Sequence, residues 1–208
     1  MKITTEMLLR QLGLMARSAA IIAREPSRGR GARRLVATRG RNTVTLRLPW
    51  LPFVLIEELD ARVGEGTRVF EFGGGGSTLY FLDRGAEVVT VENDPGWMTR
   101  LDELVGDRAW VGRLQRLDEP DAYVHSIDDY PDSSLDVVVV DGRERARCAL
   151  AALPKVAPGG WLVFDDVDRE RYAAALASIP WPRRDFIGFA PAKPSLAFTA
   201  VFERPIAG

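Results

Sequence analysis

The chain has 208 residues, 46% hydrophobic and 27% charged, with 19 Gly and 13 Pro, which is the composition of an ordinary globular domain long enough to bury a core. One cysteine, Cys148, excludes an internal disulfide and a cysteine-based zinc site, and one histidine, His125, argues against a Ser-His-Asp triad or a multi-histidine metal centre. The formal net charge of -1 conceals a split: residues 1–41 carry 10 basic and 2 acidic residues, net +8, whereas the remainder carries 18 and 27, net -9.

Met7, Leu8, Leu12, Met15, Ala19 and Ile22 recur at helical spacing, so a helix is expected from Thr4-Thr5-Glu6 to about Arg24, ended by Pro26. Residues 27–34, SRGRGARR, lack apolar periodicity and read as a mobile linker or loop. The basic arm 1–41 is thus separated from a body at 42–208. No apolar run approaches the roughly 18 residues of a membrane span. The excess of 25 Arg over 3 Lys pervades the whole chain, so the Arg-rich N-terminus is not read as a targeting peptide and a cytoplasmic location is expected.

Alternating Thr and apolar residues at 43–48 predict a short strand before the Pro49-Trp50-Leu51-Pro52 turn, and Phe53, Ile56, Leu59 and Val63 predict a helix stopped by Gly64. Strands then alternate with helices. Residues 69–72 lead into Gly73-Gly74-Gly75-Gly76-Ser77-Thr78 and a helix; residues 87–91 lead into a helix capped by Asp94, with Trp97, Met98, Leu101 and Val105 on its buried face. A weaker strand at 109–111 is followed by the four consecutive valines of 135–140, which read as a buried parallel strand. A helix over 143–155, a strand at 161–164, a helix capped by Asp168 and a closing hairpin at 185–189 and 196–202 complete the pattern. Regular alternation predicts an α/β fold, a Rossmann-like doubly wound seven-stranded sheet, mostly parallel, with an N-terminal helical extension.

Ligands of such sheets bind at the carboxyl ends of the strands, and there the chain places Glu71, Glu92, Asp141, and Asp165 with Asp166. Gly73 and Gly75 begin a Gly-x-Gly-x-x-Gly pattern, but Thr78 stands where a dinucleotide fold wants the third Gly, and a carboxylate at Glu71 would repel a pyrophosphate. Glu92 lies nineteen residues after Gly73, the distance at which an acidic side chain takes ribose hydroxyls. Ribose without phosphate beside acids suggests S-adenosylmethionine.

The segments VFEFGGGGST, VTVENDP, DVVVVDGRERARC and PGGWLVFDD resemble, in order and spacing over residues 67–166, the class I S-adenosylmethionine-dependent methyltransferases. The flanks PWLPFVLIEEL and GFAPAKPSLAFTAVF are similar to a bacterial small-molecule subgroup. The resemblance implies a reversed last strand, and it implies that Glu71, Gly73, Gly74, Gly75, Ser77 and Thr78 wrap the cofactor. It also implies that Glu92 holds the ribose, that Asn93 borders the adenine, and that Asp141 faces the transferred methyl. The acid that often follows the third strand is left open between Asp118, Glu119 and Asp121.

Methyl transfer is an in-line displacement, in which the protein contributes alignment, water exclusion and removal of a proton. Asp141 is the expected base at a hydroxyl acceptor, and Arg143, nearest the rim, the expected contact for an anionic substrate, with Arg145 and Arg147 on a solvated face. Asp141, Asp165 and Asp166 at adjacent strand ends also suit Mg²⁺ or another hard divalent ion, an arrangement that resembles that of metal-dependent catechol-type and sugar O-methyltransferases. Trp50 either walls a pocket or packs in the core, Cys148 is a core residue, and His125 is structural or exposed. The arm is expected to act as a lid, to pair two copies, or to lie on an anionic surface, and its lack of stacking aromatics argues against nucleic acid. The expected function is transfer to a small-molecule hydroxyl. The rivals are a non-catalytic cofactor-binding protein, an RNA methyltransferase and an NAD(P)-dependent oxidoreductase.

Overall fold

A computed structural model of the chain describes residues 5–206, with the side chains of residues 5, 7, 8 and 10 also outside the description. The helix start expected at Thr4 and the side chains of Met7 and Leu8 therefore lie outside the described residues. In chain order come α1 (Thr5–Arg24), α2 (Ala32–Thr38), α3 (Thr43–Leu46), α4 (Phe53–Arg62), β1 (Arg68–Phe72), α5 (Gly76–Leu82), β2 (Glu87–Glu92) and α6 (Pro95–Val105). They are followed by β3 (Trp110–Leu114), α7 (Pro120–His125), β4 (Leu135–Val140), α8 (Arg145–Ala152), β5 (Val156–Asp165), α9 (Ala173–Ser178), β6 (Arg183–Phe189) and β7 (Leu196–Glu203). Short 3₁₀ turns occupy Pro26–Gly29 and Glu170–Tyr172.

The strands form one mixed sheet in the order β3-β2-β1-β4-β5-β7-β6. β1 to β5 are parallel to one another, whereas β7 runs antiparallel to both β5 and β6 and closes the sheet as a hairpin. The order reverses between β1 and β4, which opens a crevice at the carboxyl ends of these two strands. Helices cover both faces, so the valines of β4 are all buried: Val138 and Val140 pack with Phe70, Phe72 and Phe164, and Val137 and Val139 with Val69, Leu59 and Leu79.

Three expectations are corrected by tertiary context. Residues 43–46 form the single helical turn α3 rather than a strand, because the Asn42 side chain accepts the Thr45 N–H at 2.7 Å and caps it. The SRGRGARR segment is ordered into a 3₁₀ turn and α2, held where Arg34 pairs with Glu57 at 2.8 Å and stacks 4.4 Å above the Phe53 ring. Asp168 caps no helix; it pairs with Arg17 of α1 at 2.6 Å, and the expected single helix divides into the second 3₁₀ turn and α9. The apolar stripe of α1 is largely uncovered in the single chain, with Leu12 53% and Met15 48% exposed. Arg17 stacked on Phe198 and the Ser18 hydroxyl accepting the Leu196 N–H at 3.0 Å hold α1 against β7. No described helix is long and apolar enough to cross a membrane.

Candidate functional site

β1 delivers the glycine loop to the crevice, and most of its glycines are demanded by the protein's own packing. Gly73 has φ +86°, and a Cβ there would lie 2.7 Å from Gly142 Cα, so β1 and β4 approach closely at their ends. A side chain at Gly74 would strike Thr90 and Leu101, and one at Gly76 the carbonyls of Thr43 in α3 and of Leu48 just after it. Gly75 differs. A Cβ there meets nothing nearer than Trp97 at 3.7 Å, so this is where the loop leaves space for a ligand.

Glu71 lies under the loop rather than on its surface, because strand alternation turns it to the same face as Val69, beneath α5. Its Oε2 accepts the Thr78 hydroxyl at 2.7 Å and the Thr90 hydroxyl at 3.2 Å, while its Oε1 has no partner. Thr78 Oγ1 in turn accepts the Gly75 N–H at 3.1 Å. Complete burial raises the Glu71 carboxyl to about 7, against the pull of its hydroxyl hydrogen bonds. Glu71 and Thr78, expected to contact the cofactor, therefore support the loop from beneath, and neither lines the crevice. Gly73, Gly74, Gly75 and Ser77 do line it.

Glu92, at the end of β2, accepts the N–H groups of Asn93 at 2.7 Å, Asp94 at 3.0 Å and, more weakly, Gly74 at 3.4 Å. These bonds fix its carboxylate on the crevice wall beside Asn93. Trp97 does not pack inward as its helical position suggested. It is 37% exposed, its indole N–H donates to the Gly74 carbonyl at 2.9 Å, and its ring lines the crevice. Beyond β3 none of the three candidate acids reaches the crevice; Asp118 pairs with Arg116, Asp121 with Arg147, and Leu117 forms that wall.

Asp141, Asp165 and Asp166 converge, with a carboxylate oxygen of each within 4.8 Å of the others. The residue between them is Arg145, which had been expected on a solvated face. Its Nη2 meets Asp141 Oδ1 at 2.7 Å and its Nη1 meets Asp166 Oδ2 at 3.1 Å. Nε, Nη1 and Nη2 also donate to the carbonyls of Gly142 at 3.1 Å, Asp165 at 2.8 Å and Asp141 at 2.8 Å. These five contacts match the five N–H donors of a guanidinium. Arg169 also pairs with Asp166, Lys193 lies 3.8 Å from it, and Asp165 Oδ1 accepts the Thr199 hydroxyl at 2.6 Å. Three cations thus balance three acids.

The cluster therefore does not fit Mg²⁺: a hard dication needs several free oxygens, whereas most of these are already bound to cations or donors. EDTA, or Mg²⁺ added in large excess, is expected to leave the melting temperature unchanged to within about 1 °C, because an ion that does not bind the native state cannot stabilise it. A clear rise with Mg²⁺ in a thermal-shift assay would contradict this assignment.

Asp141 keeps a third of its side chain exposed, and its Oδ2 has no hydrogen-bond partner among the described residues. Desolvation, reinforced by the Asp165 charge and opposed by Arg145, holds its carboxyl above the usual carboxylate range. Burial, with the charge of Asp166, does the same for Asp165. Arg143 lies in the loop before α8, exposed and on the crevice wall. Cys148 is buried in the core and His125 is exposed beside Asp128, as expected of each.

The crevice encloses about 990 Å³ and runs from Trp97 and Leu117 past Glu92 and the glycine loop to Asp141. A second cavity of about 470 Å³ adjoins it through Trp50, Asp141, Arg145 and Arg169, and is closed by Gln11 and Leu14 of α1 and by Lys193 to Ser195. Trp50, 52% exposed, is a wall of both cavities and not a core residue. The arm thus contributes Arg41 to the first cavity and α1 to the second.

A seven-stranded sheet with a reversed strand and a crevice above β1 and β4 is the Rossmann-like fold of class I S-adenosylmethionine-dependent methyltransferases, and solved structures bear this out. A SAM-dependent methyltransferase from Archaeoglobus fulgidus is similar with a TM-score of 0.55 at 10% identity, over 79% of this chain and 95% of that one. Fibrillarin from Aeropyrum pernix, solved with natively bound S-adenosyl-L-methionine, gives 0.50 at 18% identity, over 66% of this chain and 67% of that one. A precorrin 8W decarboxylase from Methanobacterium thermoautotrophicum gives 0.51 at 17% identity, over 80% and 93%. No protein-family model and no curated protein sequence matches the chain.

Proposed function

We propose that the protein transfers a methyl group from S-adenosylmethionine to a hydroxyl of a small-molecule acceptor. The observation that carries this reading is the pairing of a fixed carboxylate, Glu92, with the open face of Gly75 on one crevice wall. A carboxylate at the end of β2 suits the vicinal hydroxyls of a ribose. A pyrophosphate is disfavoured, because two of the loop N–H groups that would bind it are already engaged, Gly74 by Glu92 and Gly75 by Thr78. That argument weighs against a nicotinamide dinucleotide.

Bound S-adenosylmethionine supplies an electrophilic methyl group on a sulfonium. Asp141 lines both cavities, so its free Oδ2 would accept the proton of an acceptor hydroxyl placed between them. Its raised proton affinity suits a general base working near neutrality. Arg145 holds the other carboxylate oxygen and fixes the orientation without a metal. Trp50 and α1 shield the second cavity from water.

Isothermal titration with S-adenosylhomocysteine and with NADH tests the cofactor. The homocysteine nucleoside is expected to bind and NADH not; the reverse result overturns the reading. Gly75→Ala, whose added Cβ meets nothing nearer than Trp97 at 3.7 Å, is expected to keep the fold and, by filling the ligand's space, to weaken S-adenosylhomocysteine by about tenfold, or about 1.4 kcal/mol. Binding without turnover across a panel of phenols and sugars would leave a cofactor-binding protein instead of an enzyme.

A further inference from the structure

Six guanidinium groups line the crevice, and three of them have a carboxylate partner in the structure: Arg145 in the acid cluster, Arg147 with Asp121 and Glu144, and Arg169 with Asp166. Arg41, Arg143 and Arg171 have no ion-pair partner among the described residues. They come from three separate segments, the α2–α3 connection, the β4–α8 loop and the 3₁₀ turn after β5. Arg171 is further fixed where its Nη2 donates to the Tyr172 hydroxyl at 2.8 Å, and Tyr172 shares the same wall.

The acids of this wall are engaged elsewhere and pair with none of the three. Glu92 is held by three backbone N–H groups, Asp141 by Arg145, and Glu144 lies 3.6 Å from Arg147. Arg41, Arg143 and Arg171 are each exposed to solvent, and like charges gathered on one concave wall repel one another and concentrate a positive field there. The carboxylate of a bound cofactor would take at most one of the three cations, and its ammonium and sulfonium would add positive charge. Two remain.

We infer that the acceptor is itself anionic, a small hydroxyl compound bearing a carboxylate or a phosphate group that Arg143 and Arg171 bind. This rests on the methyltransferase reading and adds to it a charge class for the substrate. Placement favours a small molecule over RNA: Arg41, Arg143 and Arg171 gather in one crevice of about 990 Å³ with Trp50 and Tyr172, whereas a polymer would need a continuous basic track over the surface.

The test uses the full chain saturated with S-adenosylhomocysteine, so that the cofactor carboxylate is already seated, titrated at low salt with inorganic phosphate, benzoate and a polyuridylate oligomer. Saturable binding of phosphate or of benzoate is expected, the preferred anion indicating which group the acceptor carries. The double variant Arg143→Gln/Arg171→Gln should weaken it by at least about tenfold, the scale of one charge-assisted hydrogen bond lost. Arg68→Gln, at the start of β1 and so at the opposite end of the sheet, where it pairs with Asp136, serves as the control and should leave it within about twofold, the effect of an exposed pair. Absence of saturable binding of either anion, or equal binding by the double variant, would overturn the inference. Tighter binding of the oligomer that is lost in Arg30→Gln/Arg33→Gln and retained in the crevice variant would overturn it in favour of nucleic acid. If S-adenosylhomocysteine does not bind while an anion still depends on Arg143 and Arg171, the anion site stands and the cofactor assignment falls.

Discussion

Arg145→Ala is expected to destabilise the fold by about 3–5 kcal/mol, the penalty for removing one partner from a buried ionic cluster. The side chain is almost fully buried and satisfies three backbone carbonyls and two carboxylates at once. Without it, Asp141, Asp165 and Asp166 face one another with only Arg169 and Lys193 nearby, and the ends of β4 and β5 lose their tie. Arg145→Lys restores one charge but not the planar fork, so it should recover only part of the loss. Urea denaturation of the three proteins checks this, and an Arg145→Ala midpoint indistinguishable from the parent would show that the cluster is not held by its guanidinium.

The buried carboxyl under the glycine loop makes stability depend on pH in the unusual direction. Glu71 is raised from its ordinary 4.5 to about 7 in the folded protein, so between these values the native state keeps a proton that the unfolded chain has released. Its contribution is therefore complete below about pH 4.5 and is lost as pH rises through 7. The loss is on the order of 3 kcal/mol for a shift of this size. Glu71→Gln carries no titrating proton and should remove this component, leaving the residual slope that Asp141 and Asp165, also raised, impose in the same direction. Denaturation of both proteins at pH 5 and pH 8 measures it. Equal pH dependence in the two would assign the effect to other groups.

Much of the fold is legible along the chain because its signals are local. The valines of β4 require burial on both faces, Asp94 caps α6 through the Trp97 N–H at 2.9 Å, and the carboxyl ends of β1, β2, β4 and β5 bring their acids to one end of the sheet. Where prediction failed, a partner distant in sequence decides the structure. The arm segment at 27–34 has no apolar period of its own and is ordered by Glu57 and Phe53 on α4. Trp97 fits a buried helical position by spacing and is instead drawn to the Gly74 carbonyl across the crevice.

The site shows the same division. Sequence alone determined that acids and glycines gather at the ends of parallel strands, because strand length, turn residues and caps are properties of neighbouring residues. Only the tertiary structure decided what those acids do. Arg143, Arg145 and Arg147 are one residue type at alternating positions, and nothing local distinguishes them. Glu144 takes a left-handed backbone with φ +48°, α8 begins at Arg145, and it is the second arginine that is turned in between β4 and β5. Glu71 was visible as an acid beside the glycine loop, but that it lies beneath the loop follows from strand pleat and the position of α5. Charge type is written in the chain, whereas charge partnership depends on which strand ends the fold brings together.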